Sequence, residues 1–477
     1  MTRYAMKSKP SGLASDSREI KAGSLFLAYP GEKADGRIYI ADAIEKGASA
    51  ILWESDNFEW DSQWDIDNKP ISKLRMQAGK IADQFYESPS HQLRVVGVTG
   101  TNGKTSVTQW IGQCFNYIQN KTAVIGTLGN GLPGQLTPTA NTTPDALLLQ
   151  ELLYEYVQQD FETVAMEVSS HGIAQGRVNG VHFDVAVLTN LSRDHLDYHE
   201  SYEAYAEAKK RLFLTKELKY AILNIDDDFG VAVKQDLEAL DVDVLTYGID
   251  DGDIKASKIN LGSGRIHFYV ETPYGQSDVS ANLLGRFNIY NVLAVLATLL
   301  VSEVSLVDAV EAIAKIEPLS GRMQKFGGGK IPLVVVDYAH TPDSLRVVLQ
   351  ALREEAKRRL ICVVGCGGNR DQGKRPMMGE VVSALADAVV VTSDNPRDED
   401  PQKIIQAILS GVDGEYAVEE NRATAISVAI VNAQAGDVVL IAGKGHEDYQ
   451  EIAGERHHFS DVEQVTKALK RVEVTLA

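Results

Sequence analysis

A chain of 477 residues is too long for one hydrophobic core, and its length predicts about two to four domains. Hydrophobic residues make up 44% and charged ones 24%, which excludes a disordered or fibrous chain. The net charge of −19, with no lysine- or arginine-rich tract, excludes nucleic-acid binding by phosphate neutralisation.

Three cysteines exclude a disulfide framework. Cys362 and Cys366, in RLICVVGCGG, read as a strand and its end, and no histidine accompanies them at metal-ligand spacing. The opening MTRYAMKSKPSG lacks the apolar run of a leader, and no apolar run of about 18 residues occurs. The expectation is a cytoplasmic, reduced protein without membrane insertion.

From residue 1 to about 90, the apolar runs SLFLAYP and SAILWES alternate with the helix-like YIADAIEKGA. That pattern predicts a small α/β domain, closed by the turn-rich ESPSHQ. LRVVGV then reads as a buried strand, and Lys104 opens an amphipathic helix to about Tyr117. TAVIG, ETVAMEV, FDVAVLTNL and KYAILNI are further strands separated by helical stretches, as in a mostly parallel sheet with crossover helices. The alternation in RIHFYVETP predicts a β-hairpin insert near 255–285, and NIYNVLAVLATLLV and LVDAVEAIAKI two helices. Glycine-rich EPLSGRMQKFGGGK breaks the pattern near Pro318.

Beyond it, PLVVVDYAH leads to a helix capped by Thr341, and LICVVG, AVVVTSDN and DVVLIAG each precede a helix, predicting a second doubly wound sheet. Three α/β domains are expected: 1–90, 91–318 and 319–477. Ligands bind such sheets beyond the carboxyl ends of the strands. DYAHTP, GCGGNRDQGKR, SDNPRDEDP and GKGHED all fall there.

GVTGTNGKTS, Gly97 to Ser106, departs from the usual phosphate loop G-x-x-x-x-G-K-[ST], because Val98 stands where a glycine is expected. Yet it joins a buried strand to a helix, where backbone N–H groups can hold phosphate. Lys104 would reach the terminal phosphates and Thr105 a magnesium ion. The bland alternative, a glycine-rich turn with a stray Gly-Lys-Thr, does not explain that register. In MEVSSHG, Glu167 stands late in a buried strand, where an unpartnered carboxylate is costly, so a metal or charged ligand is expected. TNLSRDHLDYH gathers Asp194, His195, Asp197 and His199 at a strand end. On their own, Lys209 and Lys210 read as a solvated helix face.

TGTNGKT, MEVSSHG, TNLSRDHLDYH, the AK-x-RLF helix, GRFNIYN, SGRM, DYAHTP, DNPR and GKGHE occur together and in this order, and the chain thereby resembles the Mur ligase family. T-G-T-N-G-K-[TS] is that family's normal loop. The resemblance implies a small N-terminal UDP-substrate-binding domain, a central P-loop ATPase-like domain and a C-terminal Rossmann-like, amino-acid-binding domain. It implies an ATP-dependent amide ligase: ATP turns a carboxylate into an acyl phosphate, and an incoming amine displaces phosphate. Gly100, Thr101, Asn102, Gly103, Lys104, Thr105 and Ser106 would bind ATP, with Asn291 at the adenine and Arg322 and Asp337 as further contacts. Two Mg2+ ions are implied, held by Thr105, Glu167, His195 and a carbamylated Lys209. Carbamylation needs a neutral amine, hence a depressed pKa.

Diaminopimelate carries one more carboxylate than lysine, and a planar guanidinium is its natural two-pronged partner. Arg397 in DNPR suits that role, although DNP alone also reads as an Asx-Pro turn. The resemblance adds Arg370, Asp394, Asn395, Pro396, Gly443 and Glu447 to the amino-acid site. For a UDP-N-acetylmuramoyl-dipeptide it implies Ser15 and Ser17, then Asn141, Thr142 and Thr143, then Ser169, Gln175 and Arg177. Glu32 and Lys33 replace a His-Gln pair of some relatives. The alternatives are a lysine-adding ligase of the same family, which Arg397 opposes, and folylpolyglutamate synthetase, which the N-terminal SDSR…GSLFLA segment opposes. A guanine-nucleotide switch would need N-K-x-D, and NKPI and NKTA are the only Asn-Lys pairs. The expected partners are small-molecule substrates of a monomer.

Overall fold

The computed structural model describes residues 10–32, 34–262 and 264–476, so Lys33 lies outside the described residues. Three sheets follow one another along the chain. The first has four parallel strands, Leu13–Ala14, Leu25–Ala28, Ala50–Glu54 and Asp67–Ile71. Side chains alternate across a strand, and this sheet buries both faces. Leu25, Leu27 and Leu52 pack under helix Leu74–Phe85, whereas Phe26, Ala28 and Ile51 face Ile40 and Ala43. Ala146 and Leu147, which begin a helix of the central sheet, complete the first of these cores.

Six parallel strands form the middle of an eleven-stranded central sheet, in the order Asp243–Gly248, Tyr220–Asn224, Val185–Leu188, Arg94–Thr99, Thr163–Glu167 and Thr122–Gly126. From Arg94–Thr99 the chain crosses to one side of the sheet and later returns to pair with the strand's other edge. The loop after Arg94–Thr99 therefore lies at a topological switch point, where open α/β sheets leave a crevice.

The hairpin expected near 255–285 is instead a three-stranded extension of this sheet: Ile254–Gly262, which pairs in parallel with Asp243–Gly248, then Arg265–Thr272 and Gly275–Ala281, each antiparallel to the strand before it. Its alternation marks a half-buried sheet. Ile266, Phe268, Val270 and Val279 join one core with helix Phe287–Val301. Helix Lys104–Tyr117 is likewise less amphipathic than expected. It is buried from Thr105 to Gly112 because it shares that core with Phe287–Val301 and Leu306–Ile313.

In the third sheet, Gln324–Gly327 runs antiparallel to Leu333–Asp337. Val438–Ala442, Leu360–Val364, Ala388–Val391 and Tyr416–Val418 continue it in parallel. Thr341 caps helix Pro342–Glu355 in a reciprocal box with Ser344, as expected. A ribbon of Tyr449–Ile452 and Glu455–His458, not foreseen, leans on the DNPR loop: the Arg397 N–H donates to the Glu451 carbonyl at 3.0 Å. Among the described residues no helix is long and apolar enough to cross a membrane.

Gly79, inside Leu74–Phe85, lets that helix touch the central domain, since a Cβ there would lie 1.8 Å from the Asn179 carbonyl oxygen. Gly79→Ala is expected to cost about 1–3 kcal/mol of stability. A lowered thermal midpoint checks this; an unchanged midpoint would mean that the two surfaces are not in contact.

Candidate active site

Two glycines give the phosphate loop its shape. Gly100 has φ 145° and a Cβ there would sit 1.9 Å from Thr189 Oγ1; Gly103 has φ 85° and would strike Asn291 Oδ1 at 2.5 Å. The second contact puts Asn291 against the loop, with its amide donating to Asn288 Oδ1 at 2.8 Å. The loop is also bound to TNLS. Thr101 N–H donates to the Asn190 carbonyl at 2.8 Å, and Asn102 N–H to Asn190 Oδ1 at 2.9 Å. Ser106 is buried in the first turn of the helix that follows.

The Gly100 carbonyl accepts from two lysine side chains, Lys104 Nζ at 2.9 Å and Lys209 Nζ at 2.7 Å. Lys209 is 1% exposed and lies over the Tyr205 ring at 4.6 Å, so it is no solvated face. Its neighbour Lys210 is the surface residue, paired with Glu207 at 2.7 Å and Asp236 at 3.2 Å. Burial, and then the charge of Lys104, drive the Lys209 pKa well below the ordinary lysine value. That is the direction carbamylation requires, since the reaction needs a neutral amine.

Glu167 ends its strand fully buried. It accepts from Thr105 Oγ1 at 2.9 Å, Thr127 N–H at 2.8 Å and Thr127 Oγ1 at 3.2 Å. These protein partners are all neutral donors, so no salt bridge within this set neutralises the carboxylate. The Thr105 and Glu167 oxygens, 2.9 Å apart, suit a hard, oxygen-seeking cation such as Mg2+.

The Asp194–His199 cluster divides. His195, at φ 54°, places Nε2 3.4 Å from Asp194 Oδ2 and its ring edge-on to His171 at 4.8 Å. Asp197 is exposed, and His199 turns toward Tyr205 at 5.4 Å with Nε2 unpartnered. His171 lies within MEVSSHG but was not singled out. Its sign in the sequence was its place one turn beyond a strand-end carboxylate.

The third sheet closes over this site. Arg322 donates to Thr105 Oγ1 at 3.3 Å and its guanidinium stacks 4.2 Å above Tyr338. Asp337 accepts from Met323 N–H at 2.8 Å. Asn102 donates to Asp343 at 3.3 Å, and His340 Nε2 stands 3.9 Å from Asp194 Oδ2. Sequence reasoning missed His340 and Asp343 as cross-domain residues, because DYAHTPD says nothing of what it faces.

Along the substrate side one line of hydrogen bonds runs to Glu167. Gln175 donates to Glu32, and Arg177 donates to Gln175 Oε1 at 2.8 Å and to the Thr143 carbonyl at 2.7 Å. Thr143 Oγ1 donates to the Glu167 carbonyl at 2.8 Å and meets Ser169 Oγ at 3.0 Å, while Thr142 bonds Thr127 at 3.0 Å. Asn141 is exposed in the adjoining loop. Ser15 bonds Tyr29, and Ser17, buried, bonds Asp42.

The DNPR and GKGHE loops meet around Lys444, which sequence reasoning passed over. It is fully buried, with Nζ 2.8 Å from Asn395 Oδ1, 3.1 Å from Glu447 Oε2 and 3.6 Å from Asp394 Oδ1. A lysine directly beyond the apolar strand DVVLIAG was the available signal, since a buried charge requires partners. Gly443, at φ 118°, admits Asp394 Oδ2 within 2.5 Å of where a Cβ would be. Burial alone would raise the Asp394 pKa, but Lys444 and Arg422 outweigh it and hold the carboxyl low. Burial and then Asp394 push Glu447 up. Arg397, after the buried Pro396, adopts φ 52°, donates to the Gly368 carbonyl at 2.7 Å and pairs with Glu451 at 3.2 Å. Arg370 is exposed, and its guanidinium reaches only the Asn369 carbonyl at 3.1 Å, so the structure does not bring it to the Arg397 cluster.

His446 lies beside Tyr338 with Nδ1 unpartnered, and burial, then Arg322, lower its pKa to about 3. Between pH 6.5 and about 3 the unfolded chain therefore binds a proton there that the folded chain refuses. Its contribution is present above pH 6.5 and lost as pH falls through that window. His446→Leu should flatten stability against pH by up to about 1.4 kcal/mol per unit, read from denaturant melts between pH 6 and 4. An unchanged slope would show the ring titrating normally.

Residues 9–86, 98–299 and 321–445 match, in turn, the families described as Mur ligase family, catalytic domain; Mur ligase middle domain; and Mur ligase, glutamate ligase domain. The chain is 51% identical over 458 residues to the UDP-N-acetylmuramoyl-L-alanyl-D-glutamate–2,6-diaminopimelate ligase of Chromobacterium violaceum, covering 95% of this chain and 93% of that one. It is 48% identical over 463 residues to the enzyme of the same name from Neisseria meningitidis serogroup B, covering 96% and 94%. A solved structure of a ligase of that name superposes with TM-score 0.70 at 36% identity, covering 99% of this chain and 98% of the other. The Thermotoga maritima MurF ligase in complex with ADP shares the fold, with TM-score 0.68 at 18% identity, covering 99% and 100%. Three matched domains in order, over nearly the whole chain, show that this protein belongs to the Mur ligase family.

Proposed function

We propose that the chain joins meso-2,6-diaminopimelate to UDP-N-acetylmuramoyl-L-alanyl-D-glutamate at the expense of ATP, in the cytoplasmic synthesis of peptidoglycan precursors. The observation that carries this reading is the convergence on Thr105. Its hydroxyl joins Glu167 of the central sheet at 2.9 Å and Arg322 of the C-terminal part at 3.3 Å. The Thr143–Arg177 line ends on the same Glu167. The three sites are built from one chain, which supports a monomer.

In this reading the N–H groups of residues 100–106 and Lys104 hold the ATP phosphates, with Asn291, Arg322 and Asp337 around the nucleotide. Ser15 and Ser17 take the uridine end of the second substrate. Asn141, Thr142, Thr143, Ser169, Gln175 and Arg177 take its sugar-peptide, leading the D-glutamyl carboxylate toward Glu167. That carboxylate attacks the γ-phosphorus, the bond to ADP breaks, and an acyl phosphate forms. Lys104 and Arg322 then stabilise the charge that the diaminopimelate amine creates as it displaces phosphate. Magnesium held by Thr105 and Glu167, and by His195 and a carbamylated Lys209, would supply further positive charge at the phosphate oxygens.

Asp394, Asn395 and Glu447, set by Lys444, would hold the amino-acid end of diaminopimelate that does not react, with the Gly443 backbone. Arg397, which already lies between Glu451 and the Gly368 carbonyl, would take the additional carboxylate. Relatives named for diaminopimelate at about half identity support this over a lysine-adding ligase.

Phosphate release from MgATP with the UDP-dipeptide should require diaminopimelate and fail with L-lysine or D-alanyl-D-alanine. Turnover with lysine would overturn the specificity, and no amide product with any amine would overturn the ligase reading. Arg397→Ala should raise the KM for diaminopimelate about ten- to a hundredfold and leave that for ATP unchanged, in steady-state assays. Lys209→Ala should be nearly inactive and partly rescued by short carboxylic acids; full activity would remove Lys209 from the site.

A further inference from the structure

The opposite end of the central sheet carries a second cluster of ligating groups. Three adjacent parallel strands, Tyr220–Asn224, Val185–Leu188 and Arg94–Thr99, each begin three residues after a side chain able to bind a metal: Glu217, His182 and His91. One ligand atom from each lies within 4.8 Å of the other two. The phosphate loop and TNLSRDHLDYH leave the carboxyl ends of two of these strands, Arg94–Thr99 and Val185–Leu188, so the cluster is a sheet's height away from them. We propose that His91, His182 and Glu217 form a binding site for a borderline transition-metal dication such as Zn2+, distinct from the magnesium sites.

Nothing in the packing requires two imidazoles here. His91 is exposed, yet its ring stacks on that of His182 at 4.5 Å and an interplanar angle of 14°. The two loops are tied next to the rings, since the His182 N–H donates to Ser90 Oγ at 3.0 Å. His182 has a carboxylate on each side: Nδ1 stands 3.9 Å from Glu217 Oε2 and Nε2 3.7 Å from Asp184 Oδ1. That is the order in which a metal-bound histidine is held, with one nitrogen on the ion and the other facing an orienting carboxylate. Asp184 is itself fixed, accepting from the Val95 N–H at 3.0 Å and from Lys219 at 2.7 Å.

Two nitrogens and one carboxylate oxygen suit Zn2+, Co2+ or Ni2+ and disfavour Mg2+, which prefers oxygen ligands. Binding needs small rotations, because donor atoms on one zinc approach more closely than these do. Both exposed ligands can turn. The competing partner of Glu217, Lys216 at 3.2 Å, is 91% exposed and holds it weakly. His91 belongs to the turn Pro89–Gln92 between the first and second sheets, so an ion here would pin that linker to two loops of the central sheet.

Zinc titration of the untagged full chain, in excess Mg2+, tests the site by calorimetry and thermal midpoint. The wild type should take up one equivalent of Zn2+ and melt higher with it. His91→Gln and Glu217→Gln change exposed side chains; they should bind that equivalent at least tenfold more weakly, lose the rise in midpoint, and retain zinc-free ligase activity. The proposal fails if the wild type binds no zinc. It also fails if both variants keep the equivalent while His195→Gln loses it, which would place the ion at the catalytic end.

Discussion

Two buried lysine side chains meet on one carbonyl oxygen, that of Gly100, and the catalytic centre is arranged around this contact. The loop can bring its Gly100 carbonyl to both side chains because Gly100 and Gly103 adopt positive φ and sit closer to Thr189 and Asn291 than a Cβ would allow. Lys104 is tied by the loop it belongs to. Lys209 arrives from a separate helix, Tyr202–Lys210, and is pressed against the loop and Tyr205. Such a pair is stable when anions or a chemical change of one amine relieve it. Phosphates and a carbamate are the two ways open here.

The amino-acid site solves the opposite problem. Asp394 and Glu447 are buried carboxylates with one ammonium, Lys444, between them, so the cluster is rich in groups that can accept from a cation. A substrate ammonium would pair with these carboxylates, and Arg397 beside them would meet a carboxylate. Lys444 also fixes Asn395, whose amide bonds Glu447 at 2.8 Å, so substrate-facing groups are positioned by a residue that itself is inaccessible. The two clusters come into register because Arg322, His340 and Asp343 of the third sheet reach the central loop.

Much of this was legible in the sequence. Runs such as LRVVGV and DVVLIAG are apolar throughout because their strands are covered on both faces, so they identify parallel sheets without reference to partners. Helix Lys104–Tyr117 and the Thr341 cap were readable for local reasons, as both depend on backbone conformation within a few residues. The hairpin near 255–285 was misjudged because alternation reports that one face is buried and not what buries it; only the packing of Phe268 and Val279 against helix Phe287–Val301 shows a sheet extension. The ribbon beside Arg397 escaped notice since YQEI and ERHH carry little apolar signal.

The sequence by itself determined the order of strands and helices, the loops that carry chemistry, and the family to which their combination belongs. These are properties of residues near one another in the chain, expressed in periodicity, glycine placement and motif order. Tertiary structure alone decided which charges face one another. By composition and periodicity Lys209 and Lys210 read alike, and only the family motif picks out Lys209; the structure buries it on the Gly100 carbonyl and leaves Lys210 in a surface ion pair. Lys444 and Arg370 sit in equally polar motifs, yet one organises a site and the other is exposed at its edge. Burial and distance set the energy of a charge, and both depend on residues hundreds of positions away in the chain.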